Sequence, residues 1–281
     1  MITAFLRDIK FEHSLFALPF AYLGLFLAEN GLPRPRLLFW VTAAMVTFRT
    51  FGMAANRLFD RKIDAENPRT AGRALPQKKL TPGFVCGITL LSLALFAGTA
   101  WKLGPLCFFL APIPIVLAAV YPFLKRFTWL SHGVLGIILG ISPYGAWLAS
   151  RPEFSWTPGL LLVGVASWVA GFDILYALQD FEFDRGRGLH SLPVRIGKKQ
   201  ALTAALLLHL VSLLAWAGAG TLAGLGWIYA AGLAVVTTFL AREHWLVHRF
   251  GLARIQQAFF TMNVGVSLAV FLSAAAALYF R

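Results

Sequence analysis

Acidic residues are scarce in this chain: twelve Asp and Glu stand against twenty-five Lys and Arg in 281 residues. Charged residues of both signs make up only 13%, hydrophobic residues 58%, and the mean hydropathy is +0.71. So little polar surface cannot cover a water-soluble globule, which excludes an ordinary soluble enzyme and leaves a membrane protein. There are only two cysteines, Cys86 and Cys107, both inside apolar runs and with no disulfide or metal-chelating spacing, so both read as packing residues. The opening MITAFLRDIKFEH has two acids and no small-residue cleavage site, so no cleavable signal is expected. It also lacks the Arg- and Ser-rich character of an organelle transit peptide.

Long apolar runs are what the chain has. A hydrocarbon core of about 30 Å needs roughly 20 apolar residues per helix. Nine stretches qualify, at 14–29, 37–58, 83–101, 104–121, 130–150, 157–179, 200–219, 222–242 and 258–280. They predict an all-α integral membrane protein of nine transmembrane helices around a central cavity. With no room left for a soluble domain, residues 1–281 read as one polytopic domain, its polar loops at 56–82 and 176–200. The net charge of +13 is distributed by side. With the N-terminus in the cytoplasm, the outer segments carry only Arg34, Arg36, Lys102, Arg151 and Arg281, and eighteen basic residues fall on the cytoplasmic side. That bias predicts an N-in, C-out topology with cytoplasmic polar loops, and it accounts for the basic charge without nucleic acid.

The few acids are placed in a pattern. Asp60 and Asp64 end the second run in NRLFDRKID, and Asp180 and Asp184 end the sixth in YALQDFEFD. Both pairs are D-x-x-x-D, displaced by 120 residues and four helices, which predicts a duplicated four-helix unit with both pairs on one side. Arg49, Asn56, Asp60 and Asp64 step by 7, 4 and 4, and Asp173, Tyr176, Asp180 and Asp184 by 3, 4 and 4. Each helix then carries one polar stripe from the membrane interior to its end. Arg49 and Asp173, two turns inside, are either a structural ion pair or part of a cavity.

Four converging carboxylates need a cation, because two like charges about 5 Å apart repel by roughly 3 kcal/mol at an effective dielectric near 20. Oxygen-only ligands suit Mg²⁺ shared with substrate phosphates. The bases beside them, Arg61, Arg69, Arg73, Arg185 and Arg187, supply the forks that phosphate oxygens require. Lys62, Lys78, Lys79 and Lys198 read as topological charges.

N-R-x-x-D-x-x-x-D with NPRTAGRALP, then GFDILYALQDFEFDRGRGLHSLPVRIG, together resemble the two aspartate-rich motifs of the UbiA superfamily of membrane aromatic prenyltransferases. YPFLKRFTWLSHGVLG is similar to that superfamily's Y-P-x-x-K-R loop. Arg57 stands where Asp is common and Gln179 where some members have Lys. The resemblance implies Mg²⁺-dependent transfer of a polyprenyl group from its diphosphate to a hydroxylated aromatic acid, 4-hydroxybenzoate or 1,4-dihydroxy-6-naphthoate, in quinone biosynthesis at the bacterial cytoplasmic membrane. The partners implied are the polyprenyl diphosphate, the aromatic acid and membrane lipid. It places the metal on Asp60, Asp64, Asp180 and Asp184, and diphosphate or acceptor on Asn56, Arg69, Arg73, Tyr121, Lys125 and Arg126. Asp173, Arg49 and Tyr176 become the catalytic candidates, with His13 a further acceptor contact. The rival reading is an ion-coupled transporter, in which paired acids and repeats also occur. The D-G-x-x-A-R signature of CDP-alcohol phosphotransferases is absent.

Overall fold

The computed structural model describes residues 1–10, 17–251, 255 and 258–280, so His13 and Arg281 lie outside the described residues. Among the described residues every regular element is helical. A short α1 (Ile2–Asp8) precedes α2 (Leu18–Glu29), and α3 (Pro35–Glu66) follows after a turn in which Asn30 takes a left-handed conformation. Next come α4 (Pro82–Leu103), α5 (Pro105–Leu110), α6 (Pro112–Leu124), α7 (Ser131–Ser150) and α8 (Trp156–Ala177). A 3₁₀ turn at Leu178–Asp180 leads into α9 (Phe181–Gly186) and α10 (Leu192–Ile196), and the chain ends in α11 (Lys198–Leu222), α12 (Gly226–Phe250) and α13 (Asn263–Tyr279).

Proline punctuates this order as its missing N–H dictates. Pro35, Pro82 and Pro105 sit at helix starts, and the Thr81 hydroxyl caps α4 by accepting from the Phe84 N–H at 3.2 Å. The run 104–121, expected as one helix, is divided at Ala111 by Pro112 into α5 and α6. Seven helical stretches among the described residues are long and apolar enough to cross a bilayer. The other two predicted positions hold α2, with twelve described residues, and α12, whose last turns carry Arg242, Glu243, His244 and Arg249.

Packing uses small residues at the crossings. The GIILG run of α7 lays Gly136 and Gly140 directly on the α8 backbone, where a Cβ on Gly140 would come within 2.7 Å of the Leu162 carbonyl oxygen. That is the close approach GxxxG permits in lipid, where no hydrophobic drive joins helices. α8 packs in turn on α11, α12 on α13, and α13 returns to α2, so the helices enclose an interior. Trp168, Trp216 and Phe20 are fully buried at its centre, with Phe20 and Trp216 rings stacked at 5.4 Å. Phe39, Leu90, Leu91, Phe109 and Leu214 project outward, as a lipid-facing surface requires.

Candidate active site

A cavity of about 720 Å³ opens between α3, α6, α7 and α8. One end is polar, and the rest is lined by side chains such as Phe48, Phe96, Leu110, Ile138 and Phe172. Both predicted stripes face it. Arg49, Asn56, Asp60 and Asp64 enter from α3, and Asp173, Tyr176, Asp180 and Asp184 from α8 and the turn beyond. Arg69 and Arg73 come from the loop after α3, and Tyr121, Lys125 and Arg126 from the end of α6. The second stripe is not one continuous helix. α8 tightens into the 3₁₀ turn at Leu178–Asp180, so Asp180 and Asp184 meet different partners.

Each carboxylate already has a base. Asp180, 5% exposed, takes a fork from Arg69, Nε to Oδ1 at 2.7 Å and Nη2 to Oδ2 at 2.6 Å, and a third bond from Asn67 Nδ2 at 2.9 Å. Arg73 Nη1 reaches both Asp64 oxygens at 2.7 Å. Lys125 Nζ stands 3.3 Å from Asp184, and Arg126 Nη2 3.4 Å from Asp60, which also accepts from Asn56 Nδ2 at 3.0 Å. Burial alone would lower the Arg69 pKa, but the bonds and charge of Asp180 outweigh it and hold the guanidinium above its usual value. Arg69 also lies over the Tyr176 ring, 5.4 Å from its centroid.

The geometry bears on the two readings left open for Arg49 and Asp173, both of which line the cavity. Arg49 and Asp173 are not an ion pair. Arg49 donates to the backbone carbonyls of Ile9 and Lys10, at 3.4 and 2.9 Å, and Asp173 pairs with His132 Nδ1 at 2.7 Å. Among the described residues no three His, Cys, Asp or Glu stand close enough together to hold a metal, so the four stripe acids form no such group. Cationic side chains neutralise them one by one instead. Of the flanking bases only Arg69 and Arg73 line the cavity; Arg61 donates to the Leu58 carbonyl of its own helix, and Arg187 pairs with Glu66. Lys198 pairs with Glu182 at an exposed site, consistent with a topological charge.

Sequence reasoning passed over His132, Asn67, Asp8 and Lys10. Among these, Asn67 carried a signal, since it precedes Pro68 and Arg69 in the first motif's own loop. His132 begins an apolar run with no period to mark it, yet it is 2% exposed and accepts the Leu192 N–H on Nε2 at 3.5 Å. With Nε2 an acceptor, Nδ1 carries the proton that meets Asp173.

The sequence profile of the UbiA prenyltransferase family matches residues 17–265. The chain belongs to that family. A 4-hydroxybenzoate octaprenyltransferase of Tolumonas auensis is 31% identical over 225 residues, 78% of this chain and 79% of the relative. The structure of a UbiA homolog from Aeropyrum pernix K1 superposes with a TM-score of 0.85 at 31% identity, over 93% of this chain and 96% of that one. A UbiA homolog from Archaeoglobus fulgidus, solved bound to DMAPP and Mg²⁺, shares the fold at 17% identity and a TM-score of 0.66, over 99% of each chain. UbiA membership makes this protein an aromatic prenyltransferase and sets the transporter reading aside.

Proposed function

We propose that this enzyme transfers a polyprenyl group from its diphosphate to 4-hydroxybenzoate or 1,4-dihydroxy-6-naphthoate, with Mg²⁺, in quinone biosynthesis. The observation that carries the proposal is the cavity's division: the four paired carboxylates and the bases that meet them, Arg69, Arg73, Lys125 and Arg126, gather at one end, with mostly apolar walls along the rest. A diphosphate fits the first and an isoprenoid tail the second. The Tolumonas relative bears the name of the benzoate enzyme. The FEHSLFALPFAY opening and the NRxxD form of the first motif resemble the branch that takes the naphthoate acid, so both acids stand in the proposal.

The donor set suits a hard divalent cation, since every acid at the polar end offers oxygen alone. Asp60, Asp64, Asp180 and Asp184 would hold it by exchanging their present bases. When bound, Mg²⁺ supplies positive charge to the departing diphosphate. The released Arg69 and Arg73 turn from carboxylate to phosphate oxygens, and Lys125 and Arg126 neutralise the same group. Tyr176 and Tyr121 present ring faces where allylic positive charge develops. Asp173, held by His132, stands deeper than the acids on α8, where it orients the acceptor or takes its ring proton. Arg49 supplies positive charge toward the acceptor carboxylate.

The same proposal includes nine membrane crossings, an origin by duplication of four helices, one domain over 1–281, cytoplasmic placement of the polar end, and an external C-terminus. The D-x-x-x-D pairs on α3 and after α8 support the duplication. The test is incubation of the purified protein with one polyprenyl diphosphate and each acid separately, with and without EDTA. Prenylation of one acid that EDTA abolishes is the expected result; no product with either acid overturns the assignment.

A further inference from the structure

The N-terminal helix is tied into the polar end. The carbonyls of its last residue and of the two that follow, left without helical partners at a helix C-terminus, are taken by two arginines of α3. Arg57 Nε donates to Asp8 O at 3.1 Å, and Arg49 donates to Ile9 O and Lys10 O. Phe5 and Ile9 are buried against Ala54, Leu75, Leu80 and Val85. The Asp8 carboxylate lies 3.8 Å from Arg57 Nε and accepts the Ala74 N–H at 2.9 Å, one residue beyond the arginine that holds Asp64. Both members of the Asp8–Arg57 pair are buried, at 6% and 7% side-chain exposure.

Arg57 has a second contact. Its Nη1 donates to Asn56 Oδ1 at 2.9 Å, and Asn56 Nδ2 donates to Asp60 at 3.0 Å. A guanidinium has only donors, so the amide atom it meets must be oxygen, and the atom left facing Asp60 must be the NH₂. We propose that Asp8 and Arg57 are a positioning pair that makes Asn56 a hydrogen-bond donor to Asp60, presetting that carboxylate for the cation–diphosphate complex, in place of a direct cation ligand at Asn56. α1 is thereby part of the donor site, although none of its residues touches the donor. This rests on the donor and metal proposed above.

Lysine at position 57 keeps the charge opposite Asp8 but cannot serve Asp8 and Asn56 together, because it lacks the planar fork. The experiment measures thermal stability of the purified full chain against Mg²⁺ at fixed inorganic pyrophosphate, with KM for donor and acceptor alongside. Arg57→Lys is expected to keep its melting temperature without ligand. It should raise the Mg²⁺ needed for half-maximal stabilisation about tenfold, the loss of one charge-assisted hydrogen bond, and raise donor KM with acceptor KM unchanged. Should Arg57→Lys fail to fold, Asp8→Asn/Arg57→Met leaves no buried unpaired charge and is read the same way. A Mg²⁺ midpoint equal to that of the wild type in the variant that folds overturns the pair's positioning role. Absence of any Mg²⁺–pyrophosphate stabilisation in the wild-type protein overturns the proposed function as well.

Discussion

Replacing Arg69 by glutamine should change the affinities for cation and diphosphate in opposite directions. Arg69 occupies both oxygens of Asp180, at 2.7 and 2.6 Å, so a cation binding there must displace it. Unit charges about 4 Å apart attract by roughly 4 kcal/mol at an effective dielectric of 20. Arg69 is 28% exposed, and solvent reduces the attraction to about 1–2 kcal/mol. Without Arg69 that competition disappears, and Mg²⁺ alone should bind about tenfold more tightly. Diphosphate at saturating Mg²⁺ should bind roughly 10- to 100-fold more weakly, because one charge-assisted hydrogen bond at about 1.5–3 kcal/mol is lost. In the wild type the same exchange couples the two ligands, each freeing the partner the other needs. Calorimetric titration of Mg²⁺ alone, then of pyrophosphate at saturating Mg²⁺, separates the two effects. A variant that binds Mg²⁺ alone no better than the wild type would refute the exchange.

Asp60→Ala and Asp180→Ala should each lower prenyl transfer by about 10²-fold or more, as loss of a group that stabilises developing charge does, with insertion and folding retained by size-exclusion profile; wild-type turnover in either sinks the metal assignment. His132→Ala should lower kcat with donor KM unchanged, since it removes the 2.7 Å bond that orients Asp173 but touches none of the diphosphate groups; raised donor KM with normal kcat would contradict the separation of the two halves. A reporter fused after Arg281 should be accessible from outside, and cysteines placed in 65–80 should resist an impermeant reagent in intact cells; labelling of that loop from outside reverses the topology.

The acid stripes were legible because carboxylates are so few here that a spacing of four, repeated 120 residues on, stands out. Helical geometry then carries the stripe residues to one cavity. Their partners were not legible. Arg69 meets Asp180 across 111 residues and His132 meets Asp173 across 41, contacts set by how the loop after α3 and helix α7 lie against α8 and the turn beyond it rather than by any local period. For Arg49 an ion pair with Asp173 stayed open as an alternative to a place in the cavity, because the stripe gave its face and depth but not the short N-terminal helix that lies near it. Seven residues are too few for a hydrophobic period to declare α1. The break at Ala111 was written in Pro112 and Pro114, but a window of 18 apolar residues averages over them. The tightened turn at Leu178–Asp180 has no sequence mark at all.

At 1.5 Å per residue the 32 residues of α3 form a rod of about 48 Å, well beyond the roughly 30 Å of hydrocarbon. The polar surplus turns are those that carry Asn56 to Glu66, and in the proposed topology the acids stand level with the lipid headgroups while Arg49 and the apolar walls remain below. Under the proposed activity a prenyl donor already dissolved in the bilayer meets the enzyme at its own depth. Its headgroup slides sideways into the polar end, and its tail never enters water. Lifting the tail out would cost about 0.8 kcal/mol for every CH₂ exposed. Encounter becomes a search in two dimensions, in which local lipid concentration rather than bulk solubility sets the rate.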